Sequence, residues 1–234
     1  MVKTLLRITL GIITFFSTTT ITAQNSDVAN SQEVEKESPF TIGVDLVSAY
    51  VCRGTKFSGP AIQPRLEYDL GGFGIGTWGS FDFVNGFNEL DTYASYTFDF
   101  GLGLGLTDYY YQGSRAFDFA DSTGSHALEI NLNYVISQFS FSANYVINDT
   151  HAGKPGTKGG DVYFEADYDF KYFKVFLGAG NGWNTADANF NVCNVGIEVK
   201  KDIKINETFS IPVFAQLVVN PDKAEYDLIV GFSL

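Results

Sequence analysis

Several residue types are scarce in this sequence of 234 residues, and each scarcity excludes a class of protein. Two Cys and two His are too few for a disulfide scaffold or a Cys/His zinc cluster. Charged residues make up 18% of the chain, below the usual quarter, and 15 Lys and Arg face 27 Asp and Glu. The resulting net charge of -12 argues against a nucleic-acid partner, because phosphate binding needs a basic surface.

Aromatic residues are abundant instead. The chain holds 22 Phe, 13 Tyr and 2 Trp, together 16% of its residues, and 24 Gly. This composition excludes disorder for most of the chain, since disordered segments are poor in aromatic residues. The length suits a single domain if the fold is all-β.

The first residues have the features of a secretory signal peptide. Lys3 and Arg7 form a basic start, an apolar stretch runs from Ile8 to Phe16, and small residues follow as far as Ala23. The alternative, a retained membrane anchor, would need an apolar run of roughly 20 residues. We therefore predict a signal peptide at 1–23, followed by a flexible periplasmic leader at 24–40 and a barrel domain at 41–234.

After residue 40 the sequence alternates between apolar and polar residues again and again. In residues 61–70, Ile62, Leu66 and Leu70 share one face, while Arg65 and Glu67 share the other. Such alternation indicates half-buried strands. The predicted strands span 41–52, 61–70, 73–83, 89–99, 101–112, 127–136, 139–148, 161–170, 172–181, 191–200, 209–219 and 225–234.

The connections between these strands fall into two classes. Those after even-numbered strands are mostly very short, such as Gly71-Gly72 and Ser137-Gln138, and aromatic residues gather beside them. Those after odd-numbered strands are mostly longer. Short turns on one rim, long loops on the other and an aromatic girdle are typical of outer-membrane barrels. The sequence therefore predicts an all-β, antiparallel, up-and-down transmembrane β-barrel of about 12 strands; the alternative is a soluble secreted β-sandwich.

This architecture implies the outer membrane of a Gram-negative bacterium, with outer-membrane lipid as a partner. The last strand places Tyr226, Leu228, Val230, Phe232 and Leu234 on one face. A terminal amphipathic strand with a late aromatic residue resembles the signal that the barrel-assembly machinery reads, although this chain ends in Leu rather than Phe. We therefore expect that machinery to be a second partner.

A group of motifs in the first strands resembles the TorF-like family of outer-membrane porins. The family pattern matches Ser48, Tyr50, Arg53 and Gly54; then Ser58, Gly59, Pro60, Ala61 and Gln63; then Gly76 and Trp78; then Glu89, Leu90, Asp91 and Tyr93. Ala49 stands where the family has Asp, and Cys52 where it has an aromatic residue. The match covers about 50 residues, and it implies a porin-like barrel.

The inward-facing side of the predicted strands is rich in acidic residues, and its few basic residues include Arg53, Arg65 and Lys174. The candidate pore-lining residues are Arg53, Arg65, Glu67, Asp91, Tyr93, Glu129, Asn131, Glu165, Asp167 and Lys174. These charges either brace the barrel as ion pairs or give a cation-preferring pore. Arg53 and Arg65 are expected to pair with Asp91 or Glu67.

The predicted function is passive diffusion of small polar or cationic solutes through a porin-like channel. The alternative is a non-conducting structural or adhesion barrel that acts through its long loops. Any lumen would be narrow and easily blocked by Trp78, Tyr93 and Tyr109, because a twelve-stranded barrel lies between ligand-holding barrels of eight strands and open porins of sixteen.

No catalytic or metal motif emerges from the sequence. His126 lies near Ser122 and Ser125, and His151 lies near Asp149, but neither histidine belongs to a recognisable catalytic triad. Asp118 and Asp121 lack the spacing of a calcium-binding loop. The predicted strands that carry Cys52 and Cys193 are not neighbours, so we expect no disulfide. The sequence predicts no enzyme activity, no cofactor and no metal.

Overall fold

The computed structural model describes residues 38–112, 115–120, 123–151 and 156–234. Within these ranges the chain forms fourteen β-strands, and no helix there could span a membrane. The predicted signal peptide and residues 24–37 of the predicted leader lie outside the described residues. The strands are β1 (Phe40–Val47), β2 (Tyr50–Cys52), β3 (Thr55–Ser58), β4 (Ala61–Leu70), β5 (Phe73–Asp82), β6 (Asn88–Thr97), β7 (Leu102–Tyr111), β8 (His126–Ile136), β9 (Phe139–Val146), β10 (Val162–Asp169), β11 (Lys174–Gly182), β12 (Ala188–Lys204), β13 (Ser210–Asn220) and β14 (Glu225–Ser233).

All strands except β2 and β3 form the wall of a closed antiparallel barrel. Each wall strand pairs with the wall strand that precedes or follows it in sequence, and β1 closes the barrel by pairing with β14. Closure removes every exposed sheet edge, which is the reason that a barrel needs no covering element. The prediction of an all-β, up-and-down barrel of twelve strands is confirmed.

The first predicted strand, 41–52, is wrong in its second half. The wall strand β1 ends at Val47, where Ser48 completes the pairing: its amide donates to the carbonyl of Val230 and its hydroxyl accepts from the amide of Val230. The chain then turns inward as the hairpin β2–β3. Arg53 and Gly54, with φ of 51° and 77°, form the two-residue turn of this hairpin, and such turns need positive φ at both positions.

The two rims of the barrel differ as predicted. Two-residue turns, Gly71-Gly72 and Ser137-Gln138, join β4 to β5 and β8 to β9. The longest connections, between β1 and β4, β7 and β8, and β9 and β10, all lie at the opposite rim. One boundary needs correction: β12 runs to Lys204, so the turn that was predicted at 201–208 covers only 205–209 before β13 begins.

Aromatic side chains ring the rim of short turns, in agreement with the predicted girdle. Phe98 stacks on Phe100 with a centroid distance of 5.4 Å. Phe170 stacks on Phe173 at 4.6 Å and packs edge-on to Tyr168 at 4.5 Å. Several of these rings are exposed, with Phe100 at 65% and Phe170 at 47%.

The alternation of apolar and polar residues in the sequence corresponds to side chains that point alternately outward and inward along the wall strands. On β8, Leu132 points outward and is exposed, whereas its neighbour Asn131 points inward and is buried. On β7, Leu104 and Leu106 point outward, and Gly103 and Gly105 face the interior opposite Asn133 and Asn131. The barrel therefore has an apolar outside and a polar inside, the reverse of a soluble protein.

Candidate functional site

The ten predicted pore-lining residues all lie inside the barrel. Nine sit on wall strands, and Arg53 sits at the tip of the hairpin β2–β3 rather than on the wall. Eight are at most 8% exposed, and the side chains of Arg53 and Arg65 are 7% and 16% exposed. The interior is therefore tightly filled, and whether these residues line an open pore stays a prediction.

The hairpin β2–β3 crosses this interior from one wall to the other. Arg53 makes a bidentate pair with Glu129, with Nη1–Oε2 and Nη2–Oε1 distances both of 2.7 Å. Its guanidinium also lies 4.6 Å from the centre of the ring of Tyr163 on β10. Glu129 belongs to β8, five strands from β1 along a wall of twelve. The prediction that Arg53 pairs with Asp91 or Glu67 is wrong, because the hairpin extends across the interior and places Arg53 beside Glu129 on β8.

The other side of the hairpin is fastened to β12, β13 and β14. Asn220 donates to the carbonyl of Gly54 at 3.1 Å. Lys56 pairs with Asp227 at 2.8 Å. Gly54 is packed so closely that a Cβ atom there would lie 1.9 Å from the carbonyl oxygen of Cys193. Only glycine fits this position, both for its φ and for this contact.

Aromatic rings fill the space between the hairpin and β5, β6 and β7. Tyr50 stacks on Phe57 within the hairpin at 5.2 Å and tilts against Trp78 on β5 at 5.3 Å. Phe87, from the loop before β6, packs against Phe57 at 5.6 Å and against Tyr111 at 5.9 Å. We call these five rings the aromatic cluster. Trp78, Tyr93 and Tyr109 are buried inside the barrel, where the sequence placed them.

Outside the hairpin, charged residues of the interior form ion pairs along the wall. Arg65 donates to Asp45 at 3.2 Å, and Lys174 lies 3.6 Å from Glu198. Glu198 also pairs with Lys200 at 3.0 Å. Removing one partner of such a buried pair is strongly destabilising, because the remaining charge is left without a partner. They support the bracing role that the sequence analysis allowed for.

The acidic residues are further held by hydroxyl and amide donors. Tyr93 donates to Glu67 at 2.6 Å, and Asn194 donates to Glu165 at 2.7 Å. Asn131 donates to Glu129 at 2.7 Å and to Asn144 at 2.9 Å. Asn131 is thus part of a buried network. Its place among the predicted pore-lining residues suggested contact with water, but the side chain is buried.

Two acidic residues of β6 are satisfied less fully, and only Asp91 is among the predicted pore-lining residues. Glu89 is hydrogen-bonded by the side chains of Tyr50 and Tyr111. Glu89 and Asp91 are 1% and 0% exposed. Neither forms an ion pair in the described part of the chain, and Glu89 Oε2 and both carboxylate oxygens of Asp91 lack a hydrogen-bond partner. Glu89 could have been found from sequence, since it shares a face with Asp91 and Tyr93 by alternation. No local pattern of the sequence indicates that Tyr50, Phe57 and Phe87 lie around it.

The candidate catalytic histidines are placed as follows. His126 binds Asp108 through Nδ1 at 2.9 Å, and its Nε2 lies 3.0 Å from the carbonyl oxygen of Ala116. The hydroxyl of Ser125 donates to the carbonyl of Arg115 rather than to His126. His151 is exposed. Ser122 lies outside the described residues.

The remaining candidates are the groups that could bind a metal ion or form a disulfide. In the ranges the structure describes, no group of three or more His, Cys, Asp and Glu could hold a metal ion. Asp118 accepts from the amide of Ala120, and Asp121 lies outside the described residues. Cys52 and Cys193 are both free. Burial raises the pKa of the Cys52 thiol to about 12, which keeps it protonated.

Comparison with known proteins gives weak structural likenesses and one family. A mutant of the Rhodopseudomonas blastica porin is 13% identical, with a TM-score of 0.42, and the match covers 84% of this chain and 73% of that chain. A second mutant of that porin gives 13% and 0.43 with the same coverage. A search of curated proteins finds no match. The model of a family described as "Bacterial protein of unknown function (Gcw_chp)" matches residues 32–209, more than half of the sequence, and this chain therefore belongs to that family.

Proposed function

We propose that the protein is a bacterial outer-membrane channel through which small polar solutes, above all cations, diffuse passively. The observation that carries the proposal is the division of the barrel into an apolar outer surface and an acidic interior. The resemblance of its first strands to the TorF-like porin family points the same way. Outer-membrane lipid, the barrel-assembly machinery and the solutes themselves are the partners that follow from it.

Membrane insertion is supported by the outer surface. Large apolar side chains there are exposed on strand after strand, for example Leu66 (46%), Ile75 (49%) and Leu106 (47%). A soluble monomer rarely exposes a contiguous apolar patch of more than a few hundred Å². A belt around a closed barrel, with aromatic rings along one rim, fits a bilayer instead.

Cation preference is supported by the interior charge. Nine acidic side chains are buried in the described residues, against one lysine. The buried acids are Asp45, Glu67, Glu89, Asp91, Glu129, Asp161, Glu165, Asp167 and Glu198. Even with Arg53 and Arg65 counted, acids outnumber bases, and low-dielectric walls focus their field on the lumen.

Planar-bilayer recording of the refolded protein tests the proposal. We expect discrete conductance steps and a reversal potential in a salt gradient that reports cation preference. Replacing Glu67 and Glu165 by Gln and Asp167 by Asn should shift that potential toward anions, and the shift should shrink as salt rises. The matched control is Glu207→Gln, an acid in an exposed turn. An unchanged reversal potential in the triple variant would contradict the proposed cation preference.

A second function, a non-conducting barrel that acts through its loops, is favoured by the hairpin that fills the lumen. Asp91 and Glu129 are at most 1% exposed, so water hardly reaches the interior acids in this conformation. Replacing residues 48–60 by a short turn distinguishes the two functions. For a channel that the hairpin constricts, we expect conductance to rise. Absence of conductance in both proteins would favour the non-conducting barrel.

A further inference from the structure

We propose that Glu89, Asp91 and the aromatic cluster form a binding site for organic ammonium cations at the long-loop mouth of the barrel. This inference rests on the proposed function, since it names the class of cation that the channel would select. The site lies where the hairpin β2–β3 meets β5, β6 and β7. Each of these elements contributes at least one side chain to it.

The first element of the site is a pair of buried carboxylates without a counter-ion. The cationic side chains of the interior are engaged elsewhere: Arg53 by Glu129, Arg65 by Asp45 and Lys174 by Glu198. Asp91 is fully buried and neither of its oxygens has a hydrogen-bond partner in the described residues. Two adjacent carboxylates cannot both stay charged out of water, so the pair either keeps a proton or takes up a cation.

The second element is the set of rings beside these carboxylates. The wall register places Asp91 directly between Trp78 on β5 and Tyr109 on β7, and Glu89 next to Tyr111. Tyr50 also lies next to Glu89 and brings the ring of Phe57 with it. Aromatic faces attract cations, and recognition of quaternary ammonium groups by such rings is a common use of that attraction.

The chemistry of the lining decides between an organic cation and a metal ion. Calcium takes six to eight oxygen ligands and magnesium six, but this lining offers two carboxylates among aromatic rings. An alkylammonium ion needs only the opposite charge and the aromatic faces. The indole N–H of Trp78 is also buried without an acceptor, so a ligand that carries a hydroxyl next to its ammonium group would satisfy it.

Access to the site depends on the hairpin. Tyr50 and Phe57 are in contact with Trp78 and Phe87, so a ligand enters only when the hairpin moves away from the wall. Binding would therefore hold the hairpin in a second position. This makes the site the point at which a cation could change the width of the lumen.

Choline is the probe for the test, because it carries a quaternary ammonium group and a hydroxyl. Binding to the folded full-length protein in detergent is measured by titration calorimetry and by the fluorescence of its two tryptophans, Trp78 and Trp183. We expect saturable binding of choline and none of 3,3-dimethyl-1-butanol, its uncharged analogue of the same shape. Asp91→Asn should weaken choline binding by more than tenfold, and so should Trp78→Leu.

The controls separate this site from general charge effects and from the channel itself. Glu207→Gln removes one acid from an exposed turn and should leave choline affinity unchanged. Each variant must keep the circular dichroism and the heat-modifiable gel mobility of a folded barrel. Equal affinity of the wild type, Asp91→Asn and Trp78→Leu, or binding of the uncharged analogue, overturns the inference. Because the titration needs no conduction, it can succeed or fail independently of the bilayer recordings.

Discussion

The side chain of Arg53 joins the hairpin to the far wall through Glu129, which is 1% exposed. Glu129 also accepts hydrogen bonds from Tyr109 and Asn131, so its charge is fully engaged. The pair resembles other buried ion pairs in that neither partner can be lost alone without a large cost. At the scale of single residues, this is the contact that fixes the tip of the hairpin.

Arg53→Met should lower the free energy of unfolding by about 3–5 kcal/mol, because it leaves Glu129 buried without a cation. The double variant Arg53→Met with Glu129→Gln should recover part of that loss, since it removes the stranded charge. Urea unfolding of the refolded protein in lipid vesicles measures both. Additive effects of the two substitutions would show that the residues are not coupled.

Leu132 and Asn133 are adjacent residues of β8 that face opposite sides of the wall. Leu132→Arg should lower the free energy of unfolding by roughly 2–4 kcal/mol, since the charge would meet lipid. Asn133→Arg should cost much less, because its side chain faces the interior opposite Gly103, which leaves room. Folding yield and urea unfolding in vesicles measure the difference. Equal effects at the two positions would contradict the proposed membrane placement.

At the scale of elements, the hairpin β2–β3 is the feature that distinguishes this barrel from an empty one. Its turn is built from Arg53 and Gly54, the two residues that end the first sequence motif. The type of turn explains why these residues stand together: glycine permits the backbone conformation, and the arginine at the tip reaches Glu129. These residues of the motif therefore hold the hairpin inside the barrel.

Gly54→Ala should release the hairpin from its seat, because a Cβ atom would meet the carbonyl oxygen of Cys193 at 1.9 Å. Gly86→Ala is the matched control. Gly86 has a φ of 72°, close to the 77° of Gly54, but no atom lies within 4 Å of its added Cβ. Trypsin cleavage after Arg53 and Lys56 measures the release. We expect it to rise at least tenfold in Gly54→Ala, and equal rates in the two variants would contradict the close contact.

At the scale of the whole molecule, the proposal places the apolar belt in lipid and both native tryptophans away from it. Trp78 is 5% exposed inside the barrel, and Trp183 packs edge-on to Tyr109. Leu106→Trp would put an indole on the outer face of the belt. We expect lipids with brominated chains to quench the added fluorescence of this variant strongly and that of the native protein little.

Phe117→Trp is the control for this measurement. Phe117 is 91% exposed and lies in the long connection between β7 and β8, outside the belt. Acrylamide in the water should quench this variant, and brominated lipid should not. The reverse pattern in the two variants would contradict the orientation of the barrel in the membrane.

Much of this architecture was determined by the sequence alone. A side-chain period of two assigns each residue of a strand to one face, so the alternation between 61 and 70 or between 127 and 136 fixes which side chains face inward. Turn residues such as Gly71-Gly72 are also a local signal, and they indicate which rim of the barrel carries the short connections. The number of wall strands and the acidic interior both follow from such local patterns.

The tertiary structure decided what fills the barrel. The predicted strand 41–52 includes the residues after Val47, and no local pattern there indicates that the chain leaves the wall to form a hairpin. The pairing of Arg53 with Glu129, 76 residues away, and the lack of an ion pair at Glu89 and Asp91 among the described residues depend on which strands face each other across the lumen. That arrangement is set by the closure of the sheet on itself and by the path of the hairpin, which no local period encodes.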